Sequence, residues 1–278
     1  MARSWWRNNI ANGRDLIATL MLRLPASIRS IRRMPILGSV LHTLSHRILA
    51  SDQKVWAQVE AGPAEGIWLE LNPRTGQNYM RGETEKVSQA AVAERLRPGD
   101  VFYDLGANLG FFSLLAARIA GPTGSVFSFE PDVQIAERLR RNAARNGLSN
   151  IVVVEMGVWS ASGTLNFITS DSTSPDRGVG RFQPDDAGSA GIQTRCVSLD
   201  DFIRNAPPPR AIKCDVEGAE IEVFRGAAEL LSTYQPWILC ELHSRENDRA
   251  WRELIAGFGY SFESVDSDHV LASPHKEV

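Results

Sequence analysis

The sequence predicts an α/β protein built on a doubly wound, mostly parallel sheet. From residue 101 onward, short and nearly continuous apolar runs alternate with segments of helical periodicity, a pattern typical of parallel strands covered by helices on both faces. The last two runs, YSFESV and HVLAS, follow one another with no helix between them. We therefore expect an antiparallel strand pair at one edge, in which the last strand runs against the others.

The first sixty residues are predicted to form a basic helical arm (1–60) ahead of one main domain (61–278). Apolar residues recur in the arm at helical spacing, and Pro25, Pro35 and Gly38 divide it into short helical pieces. The sequence leaves three roles open for residues 1–50: packing on the main domain, contact with another subunit, or peripheral binding to a membrane surface.

Charge is distributed unevenly along the chain. Residues 1–50 carry eight arginines against one acid, and because the whole chain has a net charge of −3, the remaining 228 residues sum to −10. An acidic body argues against nucleic acid as a partner, whereas the basic arm would attract anionic lipid or an acidic protein surface.

Cysteine usage and hydropathy predict a cytoplasmic protein. If the arm binds a membrane, the protein would be peripheral to the inner membrane surface. Cys196, Cys214 and Cys240 lie in apolar runs without CxxC spacing, which indicates buried, reduced thiols. The longest apolar stretch of the arm, LIATLMLRLP, is interrupted by Arg23 and Pro25 and is too short to span a bilayer.

The elements of the main domain are predicted from periodicity and from their boundary residues. Strands are predicted at GIWLEL (66–71), VFYD (101–104), SVFSFE (125–130), IVVVE (151–155), IQTRCV (192–197), PRAIKCD (209–215) and PWILCEL (236–242), and helices at 83–96, 111–120, 133–147, 219–231 and around 246–256. Gly147 is expected to end its helix, and Ser198 to begin a short one.

Two segments break this alternation. GVWSASGTLNFIT (157–169) is predicted to form a hairpin that turns near Ser162 and Gly163. The polar segment 171–191 is rich in Gly, Pro and Ser and has no periodicity; segments of this kind are either disordered insertions or functional loops such as substrate lids.

Polar residues stand at the ends of consecutive predicted strands: Asp104, Glu130, Glu155, Asp215, and Glu241 with His243. Ligands of open α/β sheets bind at the carboxyl ends of the strands, and carboxylates rarely end buried strands without a partner. These residues therefore predict a ligand site. Lys213, near the end of its strand, is expected to pair with one of these acids.

The turn DLGANLG, from Asp104 to Gly110, indicates which kind of ligand would bind at the strand ends. Gly106 and Gly110 permit special dihedral angles and a close backbone approach. A dinucleotide fingerprint would read G-x-G-x-x-G; here Asn108 replaces the second glycine, and an opening acid would repel a pyrophosphate. S-adenosylmethionine carries a sulfonium, an ammonium and a ribose diol, so Asp104 would lie near its amino-acid end and Glu130 would accept hydrogen bonds from the ribose.

The combination of these motifs resembles the FkbM family of S-adenosylmethionine-dependent methyltransferases. The likeness extends from about residue 81 to residue 264 and rests on PGDVFYDLGANLGFFS, the FEPD turn, VSLDDF and, most specifically, AIKCDVEGAEIEVFRGA followed by ILCELH. It implies a Rossmann-like, seven-stranded methyltransferase sheet with an antiparallel last strand. The cofactor-contacting positions that it implies are Asp104, Gly106, Asn108, Gly110 and Glu130, with Glu155 to Val158 around the adenine and Glu85 in the preceding helix. Gly157 departs from the alanine more usual there.

The implied reaction is transfer of a methyl group to a hydroxyl oxygen of a small molecule such as a sugar, glycolipid or polyketide-type product. A hydroxyl needs a base during attack, and the candidates are Asp215, His243 and Glu217, with His243 the better proton acceptor near neutral pH. Alternatively, Glu217 and Glu220 only cap the following helix. These side chains would suit Mg²⁺ or Mn²⁺, but no ligand spacing supports a metal site and none is predicted. A cofactor-binding scaffold that acts through the arm, and a nicotinamide-dependent oxidoreductase, are the alternative functions.

Overall fold

The computed structural model describes residues 19–20, 22–23, 53–168 and 191–275, together with the backbone of 181–183. These residues divide into two compact units, one ending at Thr84 and the other starting at Glu85. Most of the predicted arm lies outside the described residues, so its helices, its partners and the domain boundary at residue 60 stay predictions. None of the described helices is long and apolar enough to cross a membrane.

The first unit contains a two-stranded antiparallel sheet and a short helix. Strand β1 (Val55–Gln58) pairs with β2 (Trp68–Leu71), and α1 (Gln77–Arg81) follows. The strand predicted at 66–71 is confirmed. Its partner β1 lies in a segment that the sequence analysis assigned to the helical arm.

The second unit alternates strands and helices. Its strands are β3 (Val101–Leu105), β4 (Ser125–Phe129), β5 (Ile151–Val154), β6 (Gly157–Val158), β7 (Gly163–Ile168), β8 (Arg181–Gln183), β9 (Ile192–Val197), β10 (Ala211–Cys214), β11 (Trp237–Glu241), β12 (Tyr260–Ser264) and β13 (His269–Pro274). Its helices are α2 (Lys86–Arg95), α3 (Phe111–Ala120), α4 (Val133–Arg145), α5 (Leu199–Phe202), α6 (Glu220–Arg225), α7 (Ala228–Thr233) and α8 (Arg245–Ala256).

Seven strands form the main sheet in the order β12-β13-β11-β10-β3-β4-β5. The five strands from β11 to β5 are parallel neighbours, and β13 is antiparallel to both β11 and β12. This arrangement confirms the predicted α/β sheet with an antiparallel last strand. All four residues of β10 are buried, as expected for a central parallel strand covered on both faces.

Local sequence accounts for the beginning and the end of α4. The Asp132 carboxylate accepts hydrogen bonds from the backbone N–H groups of Gln134 (2.8 Å) and Ile135 (3.2 Å), which satisfies donors that lack a partner within the helix. At the other end, Gly147 adopts φ +67°, and the next N–H reaches back to the carbonyl of Ala143. The predicted C-terminal glycine is therefore confirmed.

The predicted hairpin at 157–169 is wrong. Strands β6 and β7 do not pair with each other; β9 lies between them, parallel to β6 and antiparallel to β7, and β8 completes this second sheet. The turn at Ser162 is tied to distant residues, because its hydroxyl donates to Asp201 (2.5 Å) and accepts from the N–H of Ser198 (3.1 Å). Apart from β8 and Gly191, the predicted insertion or lid at 171–191 lies outside the described residues.

The helix predicted at 219–231 is interrupted. Helix α6 ends at Arg225 and α7 begins at Ala228. Between them Gly226 passes so close to another segment that a Cβ there would lie 2.4 Å from the carbonyl oxygen of Trp159. The break therefore reflects close packing against the residues that follow β6, which a helical periodicity does not reveal.

Candidate active site

A crevice opens at the carboxyl ends of β3, β4 and β10. Four of its lining residues are acids, namely Glu130, Asp132, Asp215 and Glu217, and none of its lining residues in the described part of the chain is Lys or Arg. A wall of one charge sign raises the local concentration of ligands of the opposite sign. The crevice is therefore suited to a cationic ligand and unsuited to a pyrophosphate.

The glycine turn forms one wall of this crevice. Gly106 adopts φ +78°, and a Cβ there would lie 1.8 Å from the carbonyl oxygen of Asp215. Asn108 adopts φ +50° and also lines the crevice. Gly110 does not reach it; this residue begins α3 at φ +86°, where a Cβ would lie 2.6 Å from Cγ of Leu139. Of the turn, Gly106 and Asn108 thus line the crevice, and the predicted backbone contact with a ligand stays a prediction.

Glu130 projects into the crevice with its carboxylate held by backbone. Its Oε2 accepts from the N–H of Asn108 and its Oε1 accepts from the N–H of Asp132, both at 2.9 Å. Each oxygen keeps a further lone pair. Burial raises the pKa of Glu130 to about 7, although both backbone hydrogen bonds oppose the shift. The residue is therefore an oriented pair of acceptors whose charge is poorly solvated.

Asp104 lies beneath the turn and does not line the crevice. Its Oδ2 accepts a hydrogen bond from the hydroxyl of Ser113 (2.5 Å), which in turn accepts from Ser128 (2.8 Å). Its Oδ1 is buried and has no hydrogen-bond partner among the described residues. Burial raises the pKa of Asp104 to about 6, against the influence of Lys213 and Ser113. Asp104 is therefore not placed for direct contact with a ligand in the crevice, and its Oδ1 is the acceptor left for a further hydrogen bond.

The segment after β5 supplies apolar contacts. Met156, Gly157 and Val158 line the crevice together with Phe167; the expectation that an adenine lies here stays a prediction. Glu155 is not brought there. Its carboxylate forms an ion pair with the Arg140 guanidinium of α4, and its side chain borders a different depression.

Asp215 lines the crevice at the end of β10 and pairs with Lys213. The ammonium of Lys213 lies 2.9 Å from Asp215 Oδ2, so the ion pair expected for this lysine is confirmed. Burial acts to raise the pKa of Asp215, but the charge and hydrogen bond of Lys213 outweigh it, and the pKa is lowered. Asp215 is therefore an ionised acceptor and a weak base.

His243 is surrounded by carboxylates. Its Nε2 lies 3.2 Å from Glu217 Oε2 and 3.8 Å from oxygens of both Asp215 and Glu241, while its Nδ1 lies 3.4 Å from Glu220 Oε1. The hydrogen bonds to Glu217 and Glu220 raise the pKa of His243 to about 11. This differs from the expectation that His243 accepts a proton near neutral pH, because the surrounding carboxylates keep the ring protonated.

A second histidine, which no sequence pattern indicated, lies among carboxylates. His269, at the start of β13, lies with its Nε2 3.1 Å from Glu85 and 3.4 Å from Glu241, and its Nδ1 2.9 Å from Asp266. Although burial opposes it, hydrogen bonds to these three carboxylates raise the pKa of His269 to about 10. Glu85, predicted as a cofactor residue, is thus engaged by His269 and does not line the crevice.

Two groups of one histidine and two carboxylates bring potential metal-ligand atoms within 4.8 Å of one another. One consists of Asp215, Glu241 and His243, the other of Glu85, Glu241 and His269. In both groups a protonated imidazole lies within ion-pair distance of the carboxylates. The ion pairs hold both groups together without a metal, and we assign no metal to either group.

Comparisons with known proteins agree with this architecture. A family model described as the methyltransferase FkbM domain matches residues 104–262, more than half of the chain. The hexuronic acid methyltransferase AglP of Haloferax volcanii is 29% identical over 198 residues, which cover 69% of this chain and 77% of that protein. The 31-O-demethyl-FK506 methyltransferase FkbM of Streptomyces tacrolimicus is 28% identical over 236 residues, which cover 74% of this chain and 85% of that protein.

A solved structure of a methyltransferase FkbM from Methylobacillus flagellatus KT also matches, with a TM-score of 0.46 and 19% identity. The match covers 66% of this chain and 50% of the other one, so the chain spans half the length of that protein.

Proposed function

Because the chain belongs to the FkbM family of methyltransferases, we propose that it transfers a methyl group from S-adenosylmethionine to a hydroxyl oxygen of a small molecule. The observation that carries this proposal is the crevice, which among the described residues has four acidic lining residues and no basic one. A cationic ligand with a diol fits this charge and the paired acceptors of Glu130. The charge of these four carboxylates also speaks against a nicotinamide dinucleotide, because they would repel its pyrophosphate.

The residues present fit S-adenosylmethionine. A Cβ at Gly106 would clash with the carbonyl of Asp215. Only glycine therefore lets the turn lie this close to the end of β10 beside the crevice. Glu130 would accept hydrogen bonds from the ribose, and Met156, Gly157 and Val158 would contact the adenine. Asp104 lies beneath the turn, and its buried Oδ1 would act on the amino-acid end through water. The cofactor, when bound, supplies a methyl group already activated on a sulfonium.

The acceptor hydroxyl must lose a proton during attack, and we assign Glu217 as the base that accepts it. This carboxylate lines the crevice and is held by the protonated ring of His243 at 3.2 Å. The cation orients Glu217, whereas Asp215, fixed by Lys213, would accept a hydrogen bond from the hydroxyl and align it. Alignment of the reacting groups contributes several kcal/mol in reactions of this kind.

The relatives support an oxygen acceptor on a sugar, glycolipid or polyketide-type product. One of them is named for a hexuronic acid and another for 31-O-demethyl-FK506, and the second name puts the methyl group on oxygen. The acceptor of this chain is expected to be a compound of one of these chemical types. The basic arm, for which a contact with membrane or another subunit is proposed, would then act in localisation.

Isothermal titration with S-adenosylmethionine and with NAD tests the cofactor, and labelled S-adenosylmethionine with hexuronic acid glycosides and hydroxylated polyketides tests the transfer. We expect micromolar binding of S-adenosylmethionine and no binding of NAD. The label in the product should resist treatment with base, because a methyl ether is stable to base. Binding of NAD without binding of the sulfonium ligand would overturn the proposal. Base-labile label would indicate a carboxyl ester and contradict a hydroxyl acceptor. Binding without transfer to any candidate would favour the scaffold.

A further inference from the structure

We propose that Glu220 is a positioning residue, whose buried carboxylate holds the ring of His243 so that its Nε2 faces Glu217 and the crevice. The catalytic meaning of this contact rests on the proposed function. The contact itself is a property of the folded chain and is testable without a methyl acceptor.

Glu220 is fully buried, with a side-chain exposure of 0%. Its Oε1 accepts a hydrogen bond from the N–H of Gly218 (2.9 Å) and lies 3.4 Å from Nδ1 of His243. Its Oε2 accepts from the side-chain amide of Asn247 at 3.3 Å. A buried carboxylate is strongly destabilising unless such partners surround it, so its position depends on all three groups.

A helix cap alone does not require this arrangement. Glu220 is in the first turn of α6, where an acid is favourable, and the bond to the N–H of Gly218 serves that purpose. The remaining contacts join α6 to the end of β11 through His243 and to α8 through Asn247. Glu222, in the same turn, shows the ordinary case: it is partly exposed and contacts Ser160 and Arg225.

The contact fixes the direction of the imidazole. With Nδ1 directed at Glu220, only Nε2 remains for Asp215 and Glu217, which line the crevice, and for Glu241. On the opposite side the ring borders a depression whose charged lining residues are Arg245, Asp248, Arg252, Asp266 and Asp268. A ring turned toward that depression would leave the carboxylate of Glu217 without its cation and Glu220 with an unpaired buried charge.

The test is the titration of His243 in the full chain, labelled with ¹³C and ¹⁵N at its five histidines and assigned with His243→Gln. In the parent we expect a ring protonated at both nitrogens at pH 8. In Glu220→Gln, which keeps an acceptor for the N–H of Gly218, the pKa of His243 should fall by about 1 to 3 units, since an opposite charge at this distance has an effect of that size. Glu222→Gln removes the same charge from the same helix and should leave the titration of His243 unchanged.

An unaltered titration of His243 in folded Glu220→Gln would overturn the proposal, and so would a parent ring whose Nδ1 carries no proton at pH 8, because an unprotonated nitrogen cannot donate to the buried carboxylate. The second measurement does not need Glu220→Gln, so the proposal stays falsifiable even if that variant fails to fold. In a methyl-transfer assay, Glu220→Gln should lower kcat by about tenfold or more while the Kd of S-adenosylmethionine stays within about twofold. Failure of the parent to bind that cofactor would contradict the proposed function and leave the result on His243 intact.

Discussion

Replacing Glu130 by glutamine separates the charge of this residue from its shape. Glutamine keeps the length of the side chain and one carbonyl oxygen, so it continues to accept from one of the two backbone N–H groups that hold Glu130 at 2.9 Å. The amide nitrogen then faces the other N–H, and one hydrogen bond is lost. A ribose hydroxyl also loses a charged acceptor on that side.

The magnitudes follow from these contacts. Loss of one hydrogen bond to a charged group costs about 2 kcal/mol, so the Kd of S-adenosylmethionine should rise by about 30-fold. Stability should change far less. Burial raises the pKa of Glu130 from 4.5 to about 7, which means that the ionised carboxylate destabilises the fold by about 3 kcal/mol above pH 8. Glutamine removes that cost, but it leaves one backbone N–H without an acceptor, which costs about 1 to 3 kcal/mol.

The same shift predicts a pH dependence. Between pH 4.5 and about 7 the folded chain binds more protons at Glu130 than the unfolded chain, so the contribution of this residue to stability falls as the pH rises through that range. Cofactor binding has the opposite dependence, because it uses the ionised carboxylate. The affinity of the parent for S-adenosylmethionine should therefore increase from pH 6 to pH 8, and that of Glu130→Gln should not.

Isothermal titration at pH 6, 7 and 8, with urea unfolding in parallel, measures both quantities. Asp132→Asn is the matched control, since it removes one crevice charge while asparagine remains a good helix cap; its Kd should stay within about threefold of the parent. Binding by Glu130→Gln within threefold of the parent, or an equal loss in Asp132→Asn, would refute the assignment of Glu130 to the ribose.

Three further predictions concern the turn, the second histidine and the base. Gly106→Ala should abolish cofactor binding and lower stability by more than 3 kcal/mol, because its Cβ would lie 1.8 Å from a carbonyl oxygen; Gly147→Ala, where nothing lies within 4 Å, should cost about 1 kcal/mol in the same urea titration. His269→Gln should destabilise the fold by about 3 kcal/mol at pH 7. The stabilising effect of His269 in the parent should be lost as the pH rises through about 10. Equal free energies of unfolding for parent and variant at pH 7 would contradict this. Glu217→Gln should lower methyl transfer by about 100-fold with an unchanged Kd for S-adenosylmethionine, and full activity would exclude it as the base.

The sheet could be predicted from the sequence because each of its parallel strands is a short apolar run followed by a helix with its own boundary residues. Pairing between segments that are distant in the sequence was harder to predict. The order β6-β9-β7 depends on the bonds of Ser162 to residues 36 and 39 positions away. The break at Gly226 depends on the nearby carbonyl of Trp159. Neither contact leaves a periodic signal.

The same limit applies to the site. The residues at strand ends were found because the carboxyl ends of parallel strands meet at one edge, and Glu130 and Asp215 do line the crevice. His269 could not be found in this way. It meets Glu85 across 184 positions, and only the register of β13, which puts His269 opposite Glu241, brings it there. Glu155 was misplaced because its pairing with Arg140 is a helix-to-strand contact.

The position of β13 between β11 and β12 has a consequence for biosynthesis. Both neighbours leave the ribosome before the strand that joins them, so β12 has no partner in the main sheet until residues 269–274 have emerged. A chain truncated after residue 265 should therefore expose β12 to proteases, whereas the full chain should resist cleavage there. Equal protection of the two chains would show that this edge does not need its central strand.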